Sequence, residues 1–232
     1  MLSVRLSAGT SLATGLPCLV ITTVSFFDCT SSMTACKTIG HAIALAASND
    51  SLQVAAATYK ENLTITLSLT IAGSGASKTI IDGGAANTVI TISNANADVT
   101  ISKVTIQDGL SDLNSSGGIY NNGTLTISSS TISGNLATAS GDGGGIFNAG
   151  RLTINNSTVS GNQMQGHGGG IENVGTATIN NSTITGNIAG YIGFGGGISN
   201  LRGTVTINNS TLSGNSATFK GGGIENDGNL KI

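Results

Sequence analysis

The sequence predicts an all-β protein, a right-handed single-stranded parallel β-helix of about eight or nine coils with a short helix capping its N-terminal end. Three observations carry this. Aligned on the isoleucine after each glycine cluster, the second half of the chain places Ile119, Ile146, Ile171, Ile198 and Ile224 in one column, at steps of 27, 25, 27 and 26 residues. Periods of that length mark solenoids, whose units bury an apolar face only against their neighbours. Within a unit the interval is two rather than the three to four of a helix: Ile171 and Asn173, Ala177 and Ile179, then Ser182 and Ile184. Side chains two apart share one strand face, so each unit reads as three short strands with turns between them, one coil. The third observation is composition. With 35 glycines, 9% charged and 3% aromatic residues the chain approaches low complexity, but its period demands order.

Stacking coils about 4.8 Å apart lays like residues on like. Isoleucines and small serines then form interior ladders, and Asn121, Asn148, Asn173, Asn200 and Asn226 form a structural column able to bond side chain to side chain. Each inward polar group meets its twin one coil away. The recurring "NNST" matches a glycosylation sequon, but its presence coil after coil fits a ladder better.

Along the chain, residues 1–28 read as a weak leader or an irregular first strand. Residues 29–50 form the N-terminal cap: in "KTIGHAIALAA", Ile39, Ala42, Ile43 and Ala46 fall on one helical stripe suited to covering the open end of the first coil. His41 on this helix reads as a surface residue. Residues 51–232 form the solenoid, regular from 117, and its ending in mid-unit predicts a further C-terminal part of the same protein. Cys29 and Cys36, seven apart, form either a disulfide suited to an exported protein or two buried thiols. A net charge of −2 gives no footprint for nucleic acid, and no apolar run approaches the roughly 20 residues of a membrane span.

The segments "ACKTIGHAIALAA", "LQVAAATYKENLTI" and "LTIAGSGASKTIIDGG", with the tandem "GGGIxN…LTINNSTISGN" units, resemble bacterial right-handed β-helix proteins of the pectin-lyase-like superfamily. "GGGIFN" at 143–148 is similar to the repeat of polymorphic outer-membrane proteins, which are surface passengers and adhesins. The resemblance covers residues 29–232. It implies an extracellular or cell-surface, outer-membrane-associated location and polysaccharide or cell-surface glycan as partner, and its members include both polysaccharide enzymes and non-enzymatic surface proteins.

Between "SGN" and "GGG" lie variable pieces, 136–142, 163–167, 188–194 and 216–220, and such insertions stack on one side of a solenoid as its binding face. Counting back four from each column isoleucine predicts an edge ladder of Ser115, Asp142, His167, Phe194 and Lys220, with Asp142 and His167 as neighbours. Tyr191, Phe194 and Phe219 gather on the same side as candidate sugar-stacking platforms, with Asp142, His167 and Lys220 as polar partners; the alternative is packing of loops against the wall. No catalytic residue, metal or cofactor is assigned. Glu172 and Glu225 share an outward column two coils apart, roughly 9.6 Å, too far for a retaining glycosidase pair and at the outer limit for an inverting one. Asp82 and Asp108 precede glycines as turn residues, and no adjacent acidic pair is evident. The leading expectation is a non-enzymatic, adhesin-like or glycan-contacting scaffold. Its rivals are a polysaccharide lyase or glycoside hydrolase and a pure spacer.

Overall fold

The computed structural model describes Val20–Ile21 and residues 36–232 apart from 114 and 141, and over them the chain winds into a parallel β-solenoid. In one coil, Ile171–Asn173, Thr176–Asn180 and Thr183–Thr185 are the three strands that the two-residue spacing predicts. They stack in register: Ile171 pairs with Ile146 and Ile198, Ile179 with Ile154 and Ile207, and Ile184 with Val159 and Leu212. Ile146, Ile171 and Ile198, with Ile127, Ile154 and Ile179, are completely withdrawn from water. Each such side chain stabilises the fold by about 1.5–3 kcal/mol relative to exposure, so the isoleucine ladders are the core.

Two features differ from the sequence reading. A fourth short strand lies within the variable pieces: Leu110–Leu113, Leu136–Ser140, Gln163–Met164, Ile188–Ala189 and Ser216–Ala217 make a five-stranded corner sheet. The stack is also shorter than eight or nine coils. Two of its sheets hold seven strands each, hence about six turns. The early turns use unequal lengths of chain, Asp50 pairing with Leu69 and Leu69 with Val99, so the later period does not measure them.

The polar residues are placed by ladders. Asn121, Asn148, Asn173 and Asn200 each donate from Nδ2 to Oδ1 of the next asparagine at 2.7, 2.8, 2.8 and 2.6 Å, the last to Asn226. A second column runs through the "SGN" asparagines, Asn135 to Asn162 to Asn187 to Asn215, at 2.9, 3.0 and 2.9 Å. Serines form a third column, the backbone N–H groups of Ser130, Ser157 and Ser182 donating to Oγ of Ser157, Ser182 and Ser210 at 3.1, 3.2 and 3.0 Å. In "NNST" the first asparagines bond to one another, Asn180 to Asn155 and Asn208 to Asn180. The second, Asn156, Asn181 and Asn209, turn the chain with φ of 49°, 48° and 47°, a conformation asparagine tolerates better than most residues.

The cap helix spans Ile39–Leu45 and buries Ile39, Ala42 and Ile43 against the end of the solenoid. Thr38 caps it through its hydroxyl, and the N–H groups of Ile39 and Gly40 donate to Glu61 Oε1 and Oε2 at 2.7 and 2.8 Å. A carboxylate there satisfies two donors that the helix itself cannot. Glu61→Gln, which keeps the shape but removes the charge, is expected to lower stability by about 1 kcal/mol, read by urea unfolding. Val20–Ile21 pairs antiparallel with Leu52 and Gln53 at the edge of the long sheet. Cys36 is buried; Cys29, the other end of the expected pair, lies with residues 1–19 and 22–35 outside the described residues.

Candidate functional site at the corner sheet

The corner is where one coil differs chemically from the next. A left-handed glycine (Gly161, Gly186, Gly214) ends the third strand, a ladder asparagine anchors the chain inside, and the corner strand follows. Each loop then returns through a glycine cluster whose backbones pack directly on one another, Gly169 N–H donating to Gly195 O at 3.1 Å. Gly168 shows why side chains are excluded: at φ 67°, an added Cβ would lie 2.6 Å from the Glu172 nitrogen.

Two runs of the edge column predicted by counting back four are in register. Asp142 N–H donates to Ser115 O at 3.1 Å, and His167, Phe194 and Lys220 form successive parallel bridges. The rings stack: His167 on Phe194 at 4.8 Å and 15° between planes, and Phe194 against Phe219 at 5.1 Å and 53°. Tyr191 stands outside this stack at the loop tip, 83% exposed, while Phe219 is 64% exposed. Tyr191 holds φ 57°, an uncommon conformation for a ringed residue. Thr218 stabilises it from the next coil, donating its hydroxyl to the Tyr191 carbonyl and accepting from Gly193 N–H at 3.1 Å. The aromatic edge is therefore latched in place. Ile192, 56% exposed, extends its apolar surface. Lys220 is exposed beside it.

Beneath the edge lies a group the sequence reading misplaced. Tyr120, Phe147, Glu172, Ser199 and Glu225 occupy one register column, the middle position of each Ile-x-Asn strand. Alternation predicts that they face outward. Yet Glu172 is only 5% exposed, because the returning glycine loop folds over it. Burial pushes its carboxyl up to about 8, the negative charge of Asp142 adds to this, and a hydrogen bond from the Gly143 backbone opposes both. Asp142 is also raised, by burial, with His167 acting in the opposite direction. Glu172 Oε2 and His167 Nδ1 are both buried without a hydrogen-bond partner among the described residues. Asp142 and Glu172 thus form an electrostatically coupled acidic pair where the sequence showed none. What could have revealed it was the step from Phe147 to Glu172 within an aromatic column. Tyr120 and Phe147, stacked at 5.1 Å, were likewise not singled out.

Chemically, the corner offers an exposed aromatic edge with a carboxylic acid, protonated at neutral pH, walled in below it. Among the described residues no three His, Cys, Asp or Glu side chains gather as a metal site, and no helix is long and apolar enough to cross a membrane. No family model and no curated relative matches the chain. A solved structure that it resembles is a pectin methylesterase mutant in complex with a hexasaccharide, at 17% identity and a TM-score of 0.47, covering 77% of this chain and 64% of that one.

Proposed function

We propose that this chain is a non-enzymatic segment of a secreted or cell-surface protein, whose rigid β-helical wall contacts glycan along the corner edge. One observation carries the reading: Phe194, Phe219 and Tyr191 stand on one edge, two of them largely exposed, in loops latched by Thr218. Exposed rings fixed before binding stack on the C–H faces of sugars at little entropic cost. The other walls repeat small polar side chains engaged in ladders. The surface location rests on the sequence resemblance alone.

A glycan-array screen with Tyr191→Ala/Phe219→Ala tests it. Loss of two stacking surfaces is expected to weaken retention about tenfold or more, while thermal unfolding changes little, because both rings lie outside the ladders. Unchanged retention with a lowered melting temperature would make the rings wall packing. No retention of any glycan by the unaltered protein would favour a spacer.

Polysaccharide cleavage has its own supporting observation, the coupled Asp142 and Glu172 carboxyls, one of them protonated near neutral pH as a general acid must be. The burial of Glu172 weighs against contact with a glycosidic oxygen. Release of reducing ends or unsaturated products, abolished by Glu172→Gln, would establish it.

A further inference from the structure

The corner between the third strand of a coil and the isoleucine column of the next widens stepwise along the chain: residues 61–62, then 83–89, then 108–118. Only the third is long enough to carry a corner strand, Leu110–Leu113, which is therefore the edge of its sheet. The coil below offers no strand to meet it. Leu110 N–H donates to Asn87 O at 3.2 Å, and beside that contact the step leaves an open groove of about 470 Å³. Its walls are Leu110, Ser111 and Ser115 on one side and residues of Leu63–Ile65 and Ile90–Ile92 on the other.

We infer that this notch is a second binding site and that its ligand is a neutral oligosaccharide. The polar side chains lining it, from Asn62, Thr64, Asn87, Thr88, Thr91, Ser111 and Ser115, are all hydroxyls or amides, and no lining residue is charged. An anionic sugar would find no cation here, and an apolar ligand would strip water from these groups without replacing their hydrogen bonds. Sugar hydroxyls both donate and accept, which matches a wall of hydroxyls and amides. Several groups are already fixed. Asn62 Nδ2 donates to the carbonyls of Gly83, Asn87 and Thr88 at 3.4, 3.1 and 3.1 Å, leaving its Oδ1 as a positioned acceptor. Thr88 Oγ1 lies 2.7 Å from Ser115 Oγ and donates to Ser116 O at 2.6 Å. Thr64 and Thr91 are register partners, so their hydroxyls repeat at about 4.8 Å along the groove. The next rung of that column is Tyr120, stacked on Phe147. The volume falls within the usual range of small-ligand sites, about 300–1,000 Å³. None of this depends on the Phe194 edge.

Titration of the full chain by calorimetry with cellohexaose, xylohexaose, mannohexaose and hexagalacturonate tests the assignment. At least one neutral hexaose is expected to bind and hexagalacturonate to bind at least tenfold more weakly. Thr64→Val/Thr91→Val removes two hydroxyls while keeping β-branched strand residues, and Asn87→Trp obstructs the groove from an exposed position. Each is expected to weaken the neutral hexaose about tenfold or more, as loss of one or two hydrogen bonds does, while Tyr191→Ala/Phe219→Ala leaves it unchanged. The inference fails if no neutral hexaose binds, if both groove variants bind as the unaltered chain does, or if hexagalacturonate binds equally well. Binding of an extended peptide instead, seen as new amide protection along Leu110–Leu113, would also overturn it. Failure at the Phe194 edge with success here, or the reverse, separates the two sites.

Discussion

Replacing Glu172 by glutamine is expected to flatten the pH dependence of stability that the unaltered protein shows between about pH 4.5 and 8. The sign follows from proton binding. In the unfolded chain this carboxyl titrates near its ordinary value of 4.5, whereas burial and the Asp142 charge hold it at about 8 in the fold. Below 4.5 both states carry the proton and stability is at its highest with respect to this group. Between the two values only the folded state keeps it, so stability falls as pH rises, by about 1.4 kcal/mol per pH unit while the difference in binding is complete. Above about 8 the loss is full and constant. Asp142, raised as well, contributes a fall of the same sign. Glutamine keeps the volume and a donor but has no proton to lose. Urea unfolding at closely spaced pH values reads the slope; an unaltered protein as stable at pH 8.5 as at pH 5, or a variant with the same slope, would show that Glu172 is ionised within the fold.

That group also marks where sequence reasoning stops. The columns Ile119 to Ile224 and Asn121 to Asn226 were legible because the period and the two-residue alternation leave one register that buries every isoleucine. The edge order His167, Phe194, Lys220 followed by counting from that register. Whether an outward position meets water is different, since it depends on which loop folds over it. Glu172 is covered because Gly168 turns at positive φ against its backbone, and the equivalent Gly143 and Gly195 cover Phe147 and Ser199 in the same way, a three-dimensional consequence of the glycine cluster that alternation does not show. The corner strands Gln163–Met164 and Ile188–Ala189 were missed for a related reason: two residues carry no period, and only their neighbours in adjacent coils make them strands. The notch at Asn62 and Asn87 arises from unequal corner lengths, which alternation cannot show.

The asparagine column makes the second strong prediction, because its members are interdependent. Asn173 is fully buried. Its Nδ2 donates to Asn200 Oδ1 at 2.8 Å and to Gly175 O at 3.1 Å, and its Oδ1 accepts from Asn148 Nδ2 at 2.8 Å. Asn173→Ala leaves Asn200 Oδ1 without its donor in a place water does not reach, removes one acceptor from Asn148, and opens a void. Buried groups left unpaired cost about 1–3 kcal/mol each, so a loss of about 3–5 kcal/mol is expected in chemical unfolding. Asn148 is partly protected, since its Nδ2 still reaches Gly150 O at 3.2 Å and Thr176 O at 3.1 Å. The same change at Asn226, which is exposed and ends the column, should cost under about 1 kcal/mol. Asn173→Ala/Asn200→Ala should then cost less than the sum of its single changes, because the orphaned partner created by the first is removed by the second. Additive losses, or equal losses at Asn173 and Asn226, would mean that the side chains stack without the column bearing stability, and that the isoleucines alone hold the coils together.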